Sequence, residues 1–72
     1  MNSKDESILK FLERLNVDSI RDVRYKRKIY GRHQCVCGQP IKIAYVFTNK
    51  RNNLECTVGK NCLNHIAWYL NW

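Results

Sequence analysis

In the stretch "HQCVCGQP", residues 33–40, two thiols stand one residue apart, with a histidine before them and a glycine after. Cys35 and Cys37 cannot easily bond each other, because a disulfide needs its Cβ atoms close and suitably oriented. In a tight turn both can instead point at one ion, and Gly38 supplies a residue that tolerates φ > 0. A third thiol, Cys62, falls near the start of the last predicted helix, where free N–H groups and the macrodipole favour thiolate. Tetrahedral Zn2+ takes four ligands of this soft-to-borderline kind. Cys35, Cys37 and Cys62 are three of them. The fourth stays open. His65, three residues after Cys62 and so on the same side of the helix, stands first. His33, in a His-x-Cys-x-Cys arrangement, stands second. Cys56 stands last, because a mid-strand cysteine is more often a small buried hydrophobe. A knuckle, a hairpin and a helix N-terminus around the ion would leave no open position, so the expected zinc is structural and not catalytic.

The elements that must position these groups follow from periodicity. Ser3 three residues before Glu6 reads as a capping box. Ile8, Leu9, Phe11, Leu12 and Leu15 then recur at helical spacing, with Asn16 as the stop. "NVDSIRD" is a connector. "VRYKRKIY", residues 23–30, alternates as a strand, with Val23, Tyr25 and Ile29 on one face and Arg24, Lys26 and Lys28 on the other. Gly31 to Pro40 is a turn region. Residues 41–48 and 54–58 read as a hairpin, and residues 60–72 as a helix with Leu63, Ile66, Ala67 and Leu70 near one face. The expected fold is α+β: a small zinc-stabilised domain of N-terminal helix, strand, knuckle, β-hairpin and C-terminal helix. It forms a single domain over 1–72, divided into helix and connector (1–20) and a basic zinc-binding module (21–72). A 72-residue chain has too little core to be comfortably stable alone, which is where a metal helps.

"CVCGQPIKIAYVFTN" followed by "VGKNCLNHI" resembles the small treble-clef-like zinc-finger proteins of bacteriophages and large DNA viruses. Their pattern is Cys-x-Cys-Gly, a strand ending near an Asn, then Gly-x-x-Cys. Cys35, Cys37, Gly38, Ile41, Asn49, Gly59 and Cys62 match it, and the likeness covers about residues 33–66. It implies the treble-clef fold and a zinc site but no activity, since fold does not fix function.

Charge indicates the kind of partner. Residues 1–20 carry three basic and four acidic side chains, and residues 21–72 carry ten basic and two acidic, about +8. Such a field favours polyanions. Arg24, Lys26, Arg27, Lys28 and Arg32, with Arg21 and the interleaved Tyr25 and Tyr30, form a basic strip. Lys50, Arg51 and Lys60 add to it. Nucleic acid is the first expected partner, because cations bind phosphate and tyrosines stack on bases. The alternative is a protein-interaction module, a viral adaptor or inhibitor of host transcription or defence machinery that meets an acidic protein surface. Its anchors would be Tyr69 and Trp72, with Trp68 packed against the first helix. An enzyme is not expected. A nuclease on a ββα-metal core needs a histidine base and acidic ligands near the hairpin, where Glu55 stands alone. No small-molecule substrate is expected. No stretch spans a membrane and the N-terminus lacks signal-peptide order, so the expected location is intracellular, in the cytoplasm or nucleus of a host cell, and not secreted.

Overall fold

The computed structural model describes residues 3–71, with side chains from residue 6 onward. Two α-helices, one 3-10 turn and three strands run in the order α1 (Ser3–Leu15), the turn Ile20–Asp22, β1 (Val23–Gln34), β2 (Pro40–Asn49), β3 (Glu55–Val58) and α2 (Lys60–Leu70). The α+β class follows directly. α1 buries Ile8, Phe11 and Leu15 and packs Leu12 against the core, while Leu9 is exposed. It stops where the sequence places the stop. Asn16 adopts φ 49°, its N–H donates to the Glu13 carbonyl, and that of Val17 donates to Leu12. This pair of bonds is a Schellman end. The capping box expected at Ser3 rests on a side chain outside the described residues.

The sheet is an antiparallel meander, β1-β2-β3. β1 is longer than alternation alone indicates. It continues past Tyr30 to Gln34 because β2 keeps pairing with it, His33 opposite Ile41 and Gln34 opposite Pro40. The turn region therefore shrinks to residues 35–39. The register also slips between Tyr25 and Arg27 and between Tyr30 and His33. An extra residue on one strand swaps the faces of everything after it. Arg24, Arg27 and Ile29 lie opposite Thr48, Val46 and Ala44, on one face. Tyr25, Lys28 and Tyr30 lie opposite Phe47, Tyr45 and Ile43, on the other. The expectation of one cationic face with Lys28 and one apolar face with Ile29 is thus corrected: the bulge at Lys26 exchanges them.

The core joins Phe11 and Leu15 of α1, Val23, Phe47, Cys56 and Val58 of the sheet and Ile66 of α2, with Cys35 and Cys62 in the same cluster. Phe11 meets Phe47 edge-on, ring centroids 5.2 Å apart. Buried Asn49 fastens α1 to the β2–β3 loop, its amide donating to the Leu15 carbonyl at 3.0 Å and its Oδ1 accepting from the Arg51 N–H at 3.0 Å. α1 and the basic part of the chain therefore share one core. α2 ends at Leu70 and is capped by Asn71, in the left-handed region. Trp72 lies outside the described residues. Among the described residues no helix is long and apolar enough to cross a membrane.

Candidate metal centre

The thiol turn closes by short backbone bonds. The Cys35 carbonyl accepts from the Gly38 N–H at 2.8 Å, and the Cys35 N–H donates to the Gln39 carbonyl at 2.8 Å. Gly38 has φ 95°, which an L side chain would strain. The Val36 N–H donates to Thr57 on β3 at 3.0 Å, so the turn is pinned to the third strand. β3 then runs through Gly59 straight into α2. A Cβ on Gly59 would stand 2.7 Å from Ile41 Cγ2, so only glycine lets the strand end pass β2 this closely. The Gly59 N–H donates to Cys35 Sγ at 3.2 Å. Cys62 follows in the first turn of α2, with no side-chain cap ahead of it.

These local choices bring the sulfurs of Cys35, Cys37 and Cys62 within 4.8 Å of one another. A tetrahedral zinc at about 2.3 Å from each sulfur holds them about 3.8 Å apart, so the three fit one ion after a small contraction. The electrostatics agree. Burial pushes the Cys35 thiol up, but N–H groups of Cys37 and Gly59 and the thiols of Cys62 and Cys37 outweigh it, and its pKa is lowered. Burial, with Cys35 and Cys37 crowding it, pushes Cys62 up to about 12 despite the Ser7 hydroxyl. Negative charge gathers on one sulfur and is resisted on the next, a conflict that a divalent cation removes.

Ser7 is the residue that sequence reasoning missed. It is buried on α1, its Oγ 3.4 Å from Cys62 Sγ. The available signal was a small polar residue at the head of the apolar stripe Ile8, Phe11, Leu15. His65 stands outside the three-sulfur cluster but lines, with Cys37, Cys62, Glu6 and Ser7, a cavity of about 470 Å³ beside it. His33 sits in the β1–β2 ladder opposite Ile41. Cys56 is buried on β3 within the core, and burial pushes its thiol up to about 12, which makes it a neutral apolar group. Neither joins the cluster.

The basic residues differ in their partners. Glu55 takes Lys26 and Arg27, the latter at 3.4 Å. Asp22 takes Arg51 at 3.2 Å and Lys50 at 3.9 Å. Arg24 turns its guanidinium onto the carbonyls of Arg21 and Val23. Arg32 and Lys60 are exposed. Lys28 stands among aromatic rings, 5.5 Å from the Tyr30 centroid and 5.6 Å from that of Tyr45. Its hydrogen bond with Tyr30 raises its pKa, so it stays charged. On α2, Trp68 is 68% exposed, against the expected packing on the first helix, and Tyr69 is exposed beside it. Cys35, Cys37 and Cys62 thus form a cluster able to hold a metal ion, at the junction of the thiol turn, α1 and α2. Compared with known proteins, the chain matches no family model, no curated protein and no solved structure.

Proposed function

We propose that the protein is a small zinc-stabilised, treble-clef-like module that binds nucleic acid, acting as a regulator without catalysis of its own. Thiolate ligands select zinc among abundant divalent ions. The order of knuckle, hairpin and helix with Cys62 in its first turn supports the treble-clef reading, as does the likeness to phage and viral zinc fingers. In this reading His65 is the fourth ligand, because it lines the cavity next to Cys37 and Cys62, and His33 and Cys56 are not. The ion is then closed off and serves to hold α1, the turn and α2 together. Expected outcome: His65→Ala weakens zinc retention against a chelating dye, and His33→Ala leaves it unchanged. The reverse order would move the fourth ligand to β1.

The observation that carries nucleic-acid binding is Lys28 set against the rings of Tyr30 and Tyr45 on an open part of the sheet. Tyr30 is 69% exposed and Tyr25 is 45% exposed. An isolated domain gains little by keeping such rings in water, whereas a charged groove with exposed aromatics is what a nucleic-acid strand uses. The charge supports it. Both acids of residues 21–72 are already engaged by four cations, and Arg21, Arg24, Lys28, Arg32, Lys42 and Lys60 have no carboxylate partner among the described residues. The test is binding of labelled strands across salt concentration. The expected result is a steep fall in affinity with salt, made shallower in a Lys28→Ala, Arg32→Ala double variant. A flat salt response, unchanged by those substitutions, contradicts it.

A second reading, a protein-binding adaptor, rests on the adjacent exposed Trp68 and Tyr69 of α2. Such rings are common anchors of protein interfaces. Tyr69→Ala would then abolish capture of an acidic partner while leaving strand binding intact. Location inside a host cell, cytoplasmic or nuclear, belongs to this proposal as well, because a reduced compartment keeps the thiols free for zinc.

A further inference from the structure

Between the sheet and α2 lies a groove of about 260 Å³, lined by Tyr25, Tyr45, Leu63, Asn64 and Ala67. Its size, below the ~300–1,000 Å³ of pockets that hold whole cofactors or drug-sized ligands, leaves room for a single small group such as one ring. Its walls are two phenol rings from adjacent strands and the carbon surface of a helix. Tyr25 is held from behind, its ring edge-on to Phe47 at 5.6 Å, and Phe47 is held in turn by Phe11. One side of the Tyr25 ring is therefore fixed while much of the residue stays in water. Asn64, an exposed residue of the lining, carries both a donor and an acceptor, the combination that pairs with the edge of a base. Lys28 lies directly across the ladder from Tyr45, with its ammonium in solvent over that ring.

We propose that this groove takes one unpaired base of a single-stranded nucleic acid, with Tyr25 and Tyr45 giving the stacking surface, Asn64 meeting the base edge and Lys28 meeting the neighbouring phosphate. The inference rests on the nucleic-acid reading above and narrows it from polyanions to single strands. A duplex keeps its base faces inside the stack and can offer the groove nothing but sugar and phosphate. A single strand offers a ring and a charge at the spacing of one nucleotide, which matches a ring-lined groove beside one lysine.

The test uses the full zinc-loaded chain and two probes, a short labelled oligothymidylate and the same strand annealed to its complement, followed by fluorescence anisotropy. Tyr25→Leu removes a stacking surface. Ala67→Leu fills the groove from α2 with a good helix former and no change of charge, which covers the case in which Tyr25→Leu disturbs the sheet. The groove predicts that the single strand binds more tightly than the duplex. It also predicts that each variant weakens the single strand about ten-fold, within the range of a lost base–aromatic stack, and leaves the duplex unchanged. Lys28→Ala should lower the single-strand salt slope by about 0.7. If both variants melt like the parent and bind the single strand as it does, the groove is not the base site and the nucleic-acid reading survives without it. If neither probe binds at moderate salt, both readings fall, and the groove is left to an aromatic side chain of a protein partner.

Discussion

The closed end of the β1–β2 hairpin and its middle are built on opposite rules. At its closed end, Cys35 and Cys62 are buried, the turn amides are committed to the fold, and the sulfurs converge from separate elements. Along its middle, Lys26, Arg27 and Lys28 reach partners that water can replace. Buried groups that hold one another cannot be removed singly without exposing the rest, whereas exposed ion pairs are worth about 0–1 kcal/mol each. In the proposed reading, the closed end sets whether the chain folds, and the middle sets what it meets.

The largest expected effect breaks the closed end. Metal removal, or Cys62→Ala, should abolish cooperative melting, because zinc binding of about 10–16 kcal/mol in finger-like peptides rivals the whole stability of a domain. Far-UV circular dichroism in strong chelator checks it, and an unchanged melt would show that the core stands alone. Acid should act the same way. The ligand thiols must lose protons to bind, and Cys62 holds its proton up to about 12 in the metal-free site, so apparent zinc affinity falls as pH falls. Next in size is the core that both regions share. Phe47→Ala should cost about 3–5 kcal/mol in a urea titration of the metal-loaded protein, since it empties the space between Phe11 and Tyr25.

Asn49→Ala should cost about 1–3 kcal/mol by the same titration, because it leaves the buried Leu15 carbonyl without the bond it receives from Nδ2. A value near zero would mean that Asn52, which also reaches the Leu15 carbonyl at 3.2 Å, takes over. The smallest effect on stability belongs to Glu55, and it separates the closed end from the middle most cleanly. Lys26, by its hydrogen bond, and then the charge of Arg27 lower the Glu55 pKa from its ordinary 4.5. Its contribution is present above that value and is lost as pH falls through the lower folded one. Glu55→Gln should barely move the melt but free two cations, so strand affinity rises and the salt slope steepens by up to about 1.4 for a single strand. A stable variant with unchanged affinity would remove Lys26 and Arg27 from the binding surface.

Much of this was legible in the residues because local chemistry decided it. The α1 stop at Asn16, the glycine of the thiol turn and Cys62 at the head of α2 are each set by a few neighbouring residues. The convergence of three thiols was legible too, since a Cys-x-Cys turn and a helix-borne cysteine can both supply ligands to one ion. What escaped depended on pairing across the chain. The bulge at Lys26 is invisible to alternation counted along one strand, yet it moves Lys28 from the arginine face to the tyrosine face. Ser7 reaches Cys62 across 55 residues, and the Gly59 N–H, though its glycine stood in the Gly-x-x-Cys pattern, reaches Cys35 across 24, pairings that local patterning does not specify. Trp68 faces outward because Ile66 and Leu70 already take the buried side of α2.

Whether Cys35, Cys37 and Cys62 hold an ion is read by native mass spectrometry of the protein purified with zinc, beside Cys62→Ala and Cys56→Ala. The expected result is one zinc per chain, retained by Cys56→Ala and lost by Cys62→Ala. A folded parent chain that carries no metal, or zinc that depends on Cys56 as much as on Cys62, would contradict it.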